Sequence, residues 1–137
     1  MPPGPVRKTP GVAAVPPPLH ELESEVMEEL WASGEAPVRA VMDALNERTD
    51  KKRAYTTYMT IMARLHKKGV LVRRREGKTD FYAPTHDRDR YMALRAQFEV
   101  EGLVAQYGDV ALSNFAQQMA SLDPARRRAL QRLARKP

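Results

Sequence analysis

The sequence contains no cysteine. That removes disulfide frameworks, thiolate zinc sites, thiolate catalysis and thiolate copper sensing in one step. No run of about 18 apolar residues occurs, so no membrane-spanning helix is expected. The N-terminus shows neither an apolar h-region nor a small-residue cleavage site, and a cytoplasmic protein is the expectation. The histidines, His20, His66 and His86, fall in separate segments without ligand spacing, so neither a metal site nor a cofactor is expected. No Ser/His/Asp or paired-carboxylate arrangement emerges, and nothing points to an enzyme.

Acidic side chains are scarce where basic ones gather. The 137-residue chain has a net charge of +6 from 23 Lys+Arg and 17 Asp+Glu, but the signs are segregated. Residues 19–50 hold two basic and nine acidic side chains, whereas 51–83 hold ten basic and two acidic. Residues 123–137 are again basic. A solvated surface spreads its signs; one concentrated basic stretch is the footprint of a polyanion-binding face.

Residues 1–18 carry seven prolines and no aromatic residue. They cannot bury enough apolar surface to offset their ordering entropy, so an unstructured or polyproline-like tail is expected. Leu19, Leu22, Val26 and Leu30 then fall at helical spacing over 19–31, with glutamates on the other face and Ser33-Gly34 as the stop. A second helix is expected from Pro37 to Arg48, with Val38, Val41, Met42 and Leu45 on one side. The third runs from about Arg53 to Lys68, closed by Gly69, with Tyr58, Ile61, Met62 and Leu65 inward. Trp31 reads as a core residue at a helix end.

Two β-prone runs, 70–75 and 78–83, flank Glu76-Gly77 and read as a hairpin that Pro84 ends. Three short helices followed by a basic hairpin describe a winged helix-turn-helix over 19–84, mainly α with a small β-hairpin wing. From Thr85, an expected N-cap, the pattern is helical again to about Gln106, with Tyr91, Leu94 and Phe98 in register. Gly108 separates this from a helix over 109–120, and Asp123-Pro124 opens a last helix to about Ala134. The 53 residues of 85–137 are too thinly apolar to fold alone. A C-terminal helical dimerisation region is therefore expected, with Tyr91, Leu94, Phe98, Phe115, Met119, Leu130 and Leu133 as its contacts.

The B-DNA major groove admits one α-helix, which makes the third helix the candidate reader. Thr56, Thr57 and Thr60 suit base edges and thymine methyls, and Arg53, Arg64, Lys67 and Lys68 suit phosphates. In the wing, Arg73, Arg74, Arg75 and Lys78 would lie along the backbone or minor groove, although strand alternation turns Arg74 away from its two neighbours. Surface threonines and edge-strand charges are the plainer readings of the same residues. The alternative functions are a winged-helix regulator of unrelated genes and a winged-helix protein–protein adaptor without DNA binding, which would expose apolar anchors on that helix.

The series Leu22-Glu23, Val26-Met27, Leu30-Trp31, Ala54-Tyr55-Thr56-Thr57 and Met59-Thr60 resembles the penicillinase-repressor family, BlaI/MecI. So do Arg64-Leu65, Lys67-Lys68-Gly69, Tyr82 and Pro84. The resemblance implies a homodimeric winged-helix repressor on a palindromic operator rich in TACA/TGTA half-sites. It also implies induction through a membrane sensor-protease that responds to β-lactams. Asn114-Phe115 is similar to the bond cleaved in some members. Tyr58 departs from the smaller aliphatic usual at its position, and the basic last helix departs from the acidic tendency of relatives.

Overall fold

The computed structural model describes residues 15–135. Among them the elements run α1 (Glu21–Ser33), β1 (Ala36–Pro37), α2 (Val38–Glu47), α3 (Tyr55–Lys67), β2 (Leu71–Glu76), β3 (Thr79–Pro84), α4 (Arg88–Tyr107), α5 (Asp109–Ala120) and α6 (Pro124–Ala134). The chain divides into two compact units, Met1–Ala96 and Gln97–Pro137, so the division falls inside α4 rather than at the expected 84/85 boundary.

The first unit is built on the apolar stripes read from the sequence. Val26, Met27 and Leu30 of α1, Val41 and Leu45 of α2, and Tyr58, Met62 and Leu65 of α3 form one buried cluster with Val70, Leu71 and Tyr82. Burying a side chain of this size stabilises by about 1.5–3 kcal/mol, so the cluster dominates the unit's stability. α1 ends at Gly34, whose N–H reaches the Leu30 carbonyl at 2.7 Å and whose φ of 93° turns the following chain out of the helix. α3 ends at Gly69, at φ 86°, with Val70 N–H returning to the Leu65 carbonyl at 2.9 Å. Both stops need the left-handed conformation that glycine adopts at little cost.

The wing pairs Leu71 to Glu76 with Thr79 to Pro84 in an antiparallel ladder. Its two turn residues are Gly77 and Lys78, one position later than the expected Glu76-Gly77. Only glycines have positive φ among the described residues, and Gly77 at 64° supplies the first central position of a type II′ turn. A third strand was not foreseen. Ala36 and Pro37 pair with Tyr82 and Phe81, giving the sheet order β1-β3-β2. Two residues show no alternation, and Pro37 tolerates the position because it lies on an edge strand.

Thr85 is not the N-cap of α4. Its hydroxyl donates to the Gly69 carbonyl at 2.8 Å and its N–H to Val70 O at 2.9 Å, tying the end of the wing to the end of α3. Asp87 takes the capping role: its carboxylate accepts from the Arg90 N–H at 2.8 Å.

Most of the expected tail, residues 1–14, lies outside the described residues. Its last residues make specific contacts. Pro16 is buried, the Pro17 carbonyl accepts from the Tyr91 hydroxyl at 2.6 Å, and the Pro16 carbonyl accepts from Arg95 at 3.0 Å. Burial raises the Tyr91 phenol above its ordinary value, which keeps it a donor. Its ring meets Trp31 at 5.4 Å between centroids, and Trp31 Nε1–H donates to the His86 carbonyl at 2.9 Å. Tyr91, expected at a dimer contact, thus spends its surface inside the first unit, where it is 5 % exposed.

The second unit has little interior. Ala111 is its buried hydrophobic residue, while Phe98, Val100, Leu103, Tyr107, Val110, Leu112 and Leu133 are exposed. α6 begins as expected, with Asp123 accepting from the Arg126 N–H at 2.9 Å and Pro124 in the first turn.

A fragment ending at Ala96 should therefore be more stable than one ending at Pro84, which loses Tyr91 and the carbonyl that Trp31 requires. Tyr91→Phe in the full chain should cost about 1 kcal/mol in urea denaturation. Equal stability of the two fragments would show that this contact is idle.

Candidate nucleic-acid interface

The exposed face of α3 is set by what its other face buries. Tyr58, Met62 and Leu65, at i, i+4 and i+7, are fully enclosed. Thr56, Thr60 and Arg64 therefore point outward in one row, and Thr56, Thr57, Thr60, Ile61 and Arg64 line a single open hollow of ≈ 330 Å³. A polar lock fixes the helix start. Asn46, at the end of α2, donates to the Arg53 carbonyl at 2.9 Å and accepts from the Arg53 N–H at 3.1 Å. Its Oδ1 also accepts from the Tyr58 hydroxyl at 2.8 Å. The enclosed Tyr58 hydroxyl thus comes with its own partner.

The expected basic contacts are not equivalent. Lys68 forms an ion pair with Glu23 at 3.0 Å, and Glu23 is 1 % exposed. Burial alone would raise the Glu23 carboxyl. The His20 N–H at 2.9 Å and the Lys68 ammonium outweigh it and hold the group below its ordinary value. Lys68 therefore secures the end of α3 to the start of α1, which takes it out of the set free for phosphates. Arg74 is engaged as well. It donates to both oxygens of Glu35 at 2.9 Å, pairs with Glu76 at 2.6 Å and lies 4.7 Å over the Phe81 ring. It braces the wing against the chain entering β1.

Strand alternation sends Arg73 and Arg75 to the other face, as the sequence implies. Arg73 meets the Tyr82 hydroxyl, which raises its pKa, and Arg75 approaches Asp80 at 3.4 Å. The guanidinium of Arg53 stands 4.0 Å from Glu25. Among the described residues no carboxylate lies within 4.0 Å of Arg64, Lys67 or Lys78. These are the cations that remain open. His66 sits behind them with its ring edge toward Tyr82; burial first, then Arg73, lowers its pKa and favours the neutral form.

Sequence reasoning missed a cleft of ≈ 400 Å³ lined by Arg39, Tyr55, Met59, Lys78 and Tyr82, where the first turns of α2 and α3 face the wing. The Arg39 guanidinium lies 5.3 Å above the Tyr55 ring. Tyr55 and Met59 are 39 % and 44 % exposed, apolar surface in a cleft that Arg39, Lys78 and Asp80 also line. The only signal for Arg39 was its place as one of two arginines in an acidic stretch; its proximity to the wing is a tertiary fact. No group of three or more His, Asp or Glu able to hold a metal occurs among the described residues.

A helix presented on a compact three-helix unit, with a hairpin beside it, defines a winged helix-turn-helix protein. Residues 19–136 match the family described as penicillinase repressor, and the chain belongs to that family. Over 76 residues it is 43 % identical to the "Transcriptional regulator BlaI" of two Mycobacterium tuberculosis strains, CDC 1551 / Oshkosh and H37Rv. That match covers 55 % of this chain and 54 % of those proteins, so the chain spans about half the length of the curated relatives it matches. Among solved structures, the solution structure of the DNA binding domain of the repressor BlaI is 28 % identical. It covers 57 % of this chain and 92 % of its own, with a TM-score of 0.49. The complex structure of hsRosR-S4 is 17 % identical over 77 % of this chain and 93 % of its own, at a TM-score of 0.50, a likeness of fold.

Two measurements check the supports of α3. Tyr58→Phe should cost about 1 kcal/mol and Asn46→Ala about 2–3, because the latter also strands the Arg53 N–H. Glu23 binds its proton more readily in the unfolded chain than in the fold. Its contribution is therefore complete above about pH 4.5 and is lost as pH falls through the folded-state value. Glu23→Gln should lower the neutral-pH melting temperature and flatten the acid limb of the stability curve; an unchanged limb would mean that the Lys68 pair is not maintained in solution.

Proposed function

We propose that this chain is a homodimeric transcriptional repressor that binds double-stranded operator DNA through α3. The observation that carries the reading is the outward row Thr56, Thr60 and Arg64, with Lys67 beyond it and, among the described residues, no carboxylate paired to its cations. Threonines meet base edges and thymine methyls at short range, while Arg64, Lys67 and Lys78 take phosphates at the rim. Arg39 and Tyr55 extend that face toward the wing, with Arg53, Thr57, Arg73 and Arg75 in supporting positions. Family membership supports a palindromic operator with TACA/TGTA-type half-sites. Exposed Tyr55 and Met59 are the one feature that favours an adaptor instead, and duplex titration separates the two.

The proposed organisation is a Pro-rich tail over 1–18, a DNA-binding winged helix from 19 and a helical dimerisation region beyond it. Leu94, Phe98, Phe115, Met119, Leu130 and Leu133 remain the proposed dimer contacts. Val100, Leu103, Tyr107, Val110 and Leu112 join them on exposure, and Leu103, Tyr107, Val110 and Phe115 line a hollow that suits a second copy. Release by a membrane sensor-protease that responds to β-lactams is part of the proposal, with Asn114-Phe115 as the cleaved bond. That bond lies within α5, where Asn114 Nδ2 donates to the Val110 carbonyl at 2.9 Å. Proteases take extended chain, so α5 must open locally before cleavage. A cytoplasmic, nucleoid-associated location follows from the DNA partner.

If a dimer contacts roughly six to ten phosphates, operator affinity should fall by about 10³–10⁵ between 50 and 200 mM salt. Half-sites should be centred about one helical turn apart. Thr60→Ala should cost about 1–3 kcal/mol on the operator and little on random duplex, whereas Lys67→Ala should weaken both alike. Equal losses for the two variants on both duplexes would move the reading face elsewhere.

Ending the chain at Asn114 should yield monomers and abolish the gain from linking two half-site contacts. Retention of the dimer and of full operator affinity, by sedimentation and titration, would rule out this route of release.

A further inference from the structure

The arginines of α6 divide by their surroundings. Arg127 is half-buried and donates to the carbonyls of Met119 at 3.2 Å, Ala120 at 3.1 Å and Leu122 at 2.8 Å. It closes the turn between α5 and α6. Arg128, Arg132 and the C-cap Arg135 are exposed, as is Arg126 on the leucine side of the helix, and no carboxylate lies within 4.0 Å of any of them among the described residues. Arg135 has one weak contact, with the Gln131 carbonyl at 3.4 Å, and its guanidinium stays in solvent.

Arg128, Arg132 and Arg135 are spaced at i, i+4 and i+7. At about 100° per residue the three project within an arc of roughly 60°, and over a length of about 10 Å. Leu130 and Leu133 fall on the opposite side of the helix. Covering the apolar side, by this chain or by a second copy, therefore leaves the arginine side facing outward. Such a row is unfavourable in isolation. Like charges at i and i+4 repel by a few tenths of a kcal/mol, and α6 contains no acidic residue to offset them.

We infer that Arg128 and Arg132 of α6, with Arg135 at its C-cap, form a second, sequence-independent contact for duplex DNA phosphates, separate from the α3 face. The inference rests on the DNA-binding function proposed above. Guanidinium groups pair with phosphates in a two-point geometry, and a duplex offers one charge per about 1.7 Å of axis, dense enough for the whole row. An acidic protein surface would call for apolar anchors within the row. Its flanks hold only Pro124, Ala125 and Gln131.

The test uses the full chain with Arg128→Gln, Arg132→Gln and Arg135→Gln combined, and a second triple variant with lysines. Both are titrated by fluorescence anisotropy across a salt series. The probes are a TACA/TGTA palindrome carrying about ten base pairs of flank on each side and a random duplex of equal length. The glutamine variant should bind both duplexes on the order of tenfold more weakly at 100 mM salt, with a salt slope flatter by about two units per subunit. The lysine variant should keep most of the wild-type affinity. Unchanged affinity and slope for the glutamine variant, with the wild type bound to operator, overturn the inference while the α3 reading stands; the basic row would then serve an acidic protein. A glutamine variant of altered oligomeric state by sedimentation also overturns it, since the arginines would then serve assembly. Failure of the wild type to bind either duplex removes both readings.

Discussion

Tyr58 is enclosed on all sides and still carries a hydroxyl, so the fold must provide an acceptor where water cannot reach. It provides Asn46 Oδ1 at 2.8 Å, and the same side chain brackets the backbone of Arg53 on both its N–H and its carbonyl. One amide thus fixes the end of α2, the path of the connecting turn and the first turn of α3. The rotation of α3 about its axis follows, because Tyr58 has a single place to put its oxygen. With that rotation set, Thr56, Thr60 and Arg64 face outward. A weaker constraint would leave the same residues on the surface without a defined register, which the proposed groove-reading role of α3 requires.

Carboxylates refine what this constraint exposes. Glu23 and Glu35 come from the acidic first part of the chain, and each removes one cation from the basic stretch. The two pairs differ in kind. Glu23 is buried, so its pairing with Lys68 is little screened by salt and ties α1 to the end of α3. Glu35 and Arg74 are exposed, and their value lies in geometry: a two-point contact that stops the wing from swinging. The positive charge left uncompensated around α3 and the wing is therefore narrower than the composition suggests, with Arg39, Arg64, Lys67 and Lys78 among the described residues that have no carboxylate within 4.0 Å.

The second unit follows a different economy. Its helices are well formed locally, with Gly108 at φ 59° separating α4 from α5 and Asp123 capping α6, yet they enclose almost nothing. Arg127, bonded to three carbonyls, supplies with hydrogen bonds part of what a core would otherwise supply by packing. Low intrinsic stability suits the proposed roles of this unit. Pairing with a second copy can stabilise it, and local opening of α5 can expose Asn114-Phe115 to proteolysis.

The helices, their stops and the wing were legible in the amino acids, because these depend on local periodicity and on residues with special backbone freedom. Leu22 to Leu30, Tyr58 to Leu65, Gly34, Gly69, and Asp123-Pro124 each act within a few residues of themselves. So was the outward threonine row, since the inward stripe of one helix fixes its opposite face. Which cations stay open was settled by contacts between distant parts of the chain. Lys68 meets Glu23 across 45 residues and Arg74 meets Glu35 across 39, separations over which no spacing rule operates. The same holds for β1, whose two residues pair with a strand far along the chain, and for Tyr91, which the periodicity assigned to a dimer but Pro17 and Trp31 hold in the first unit. Side-chain chemistry states what a residue can bind; burial and the distance to the nearest opposite charge decide whether it is still available to do so.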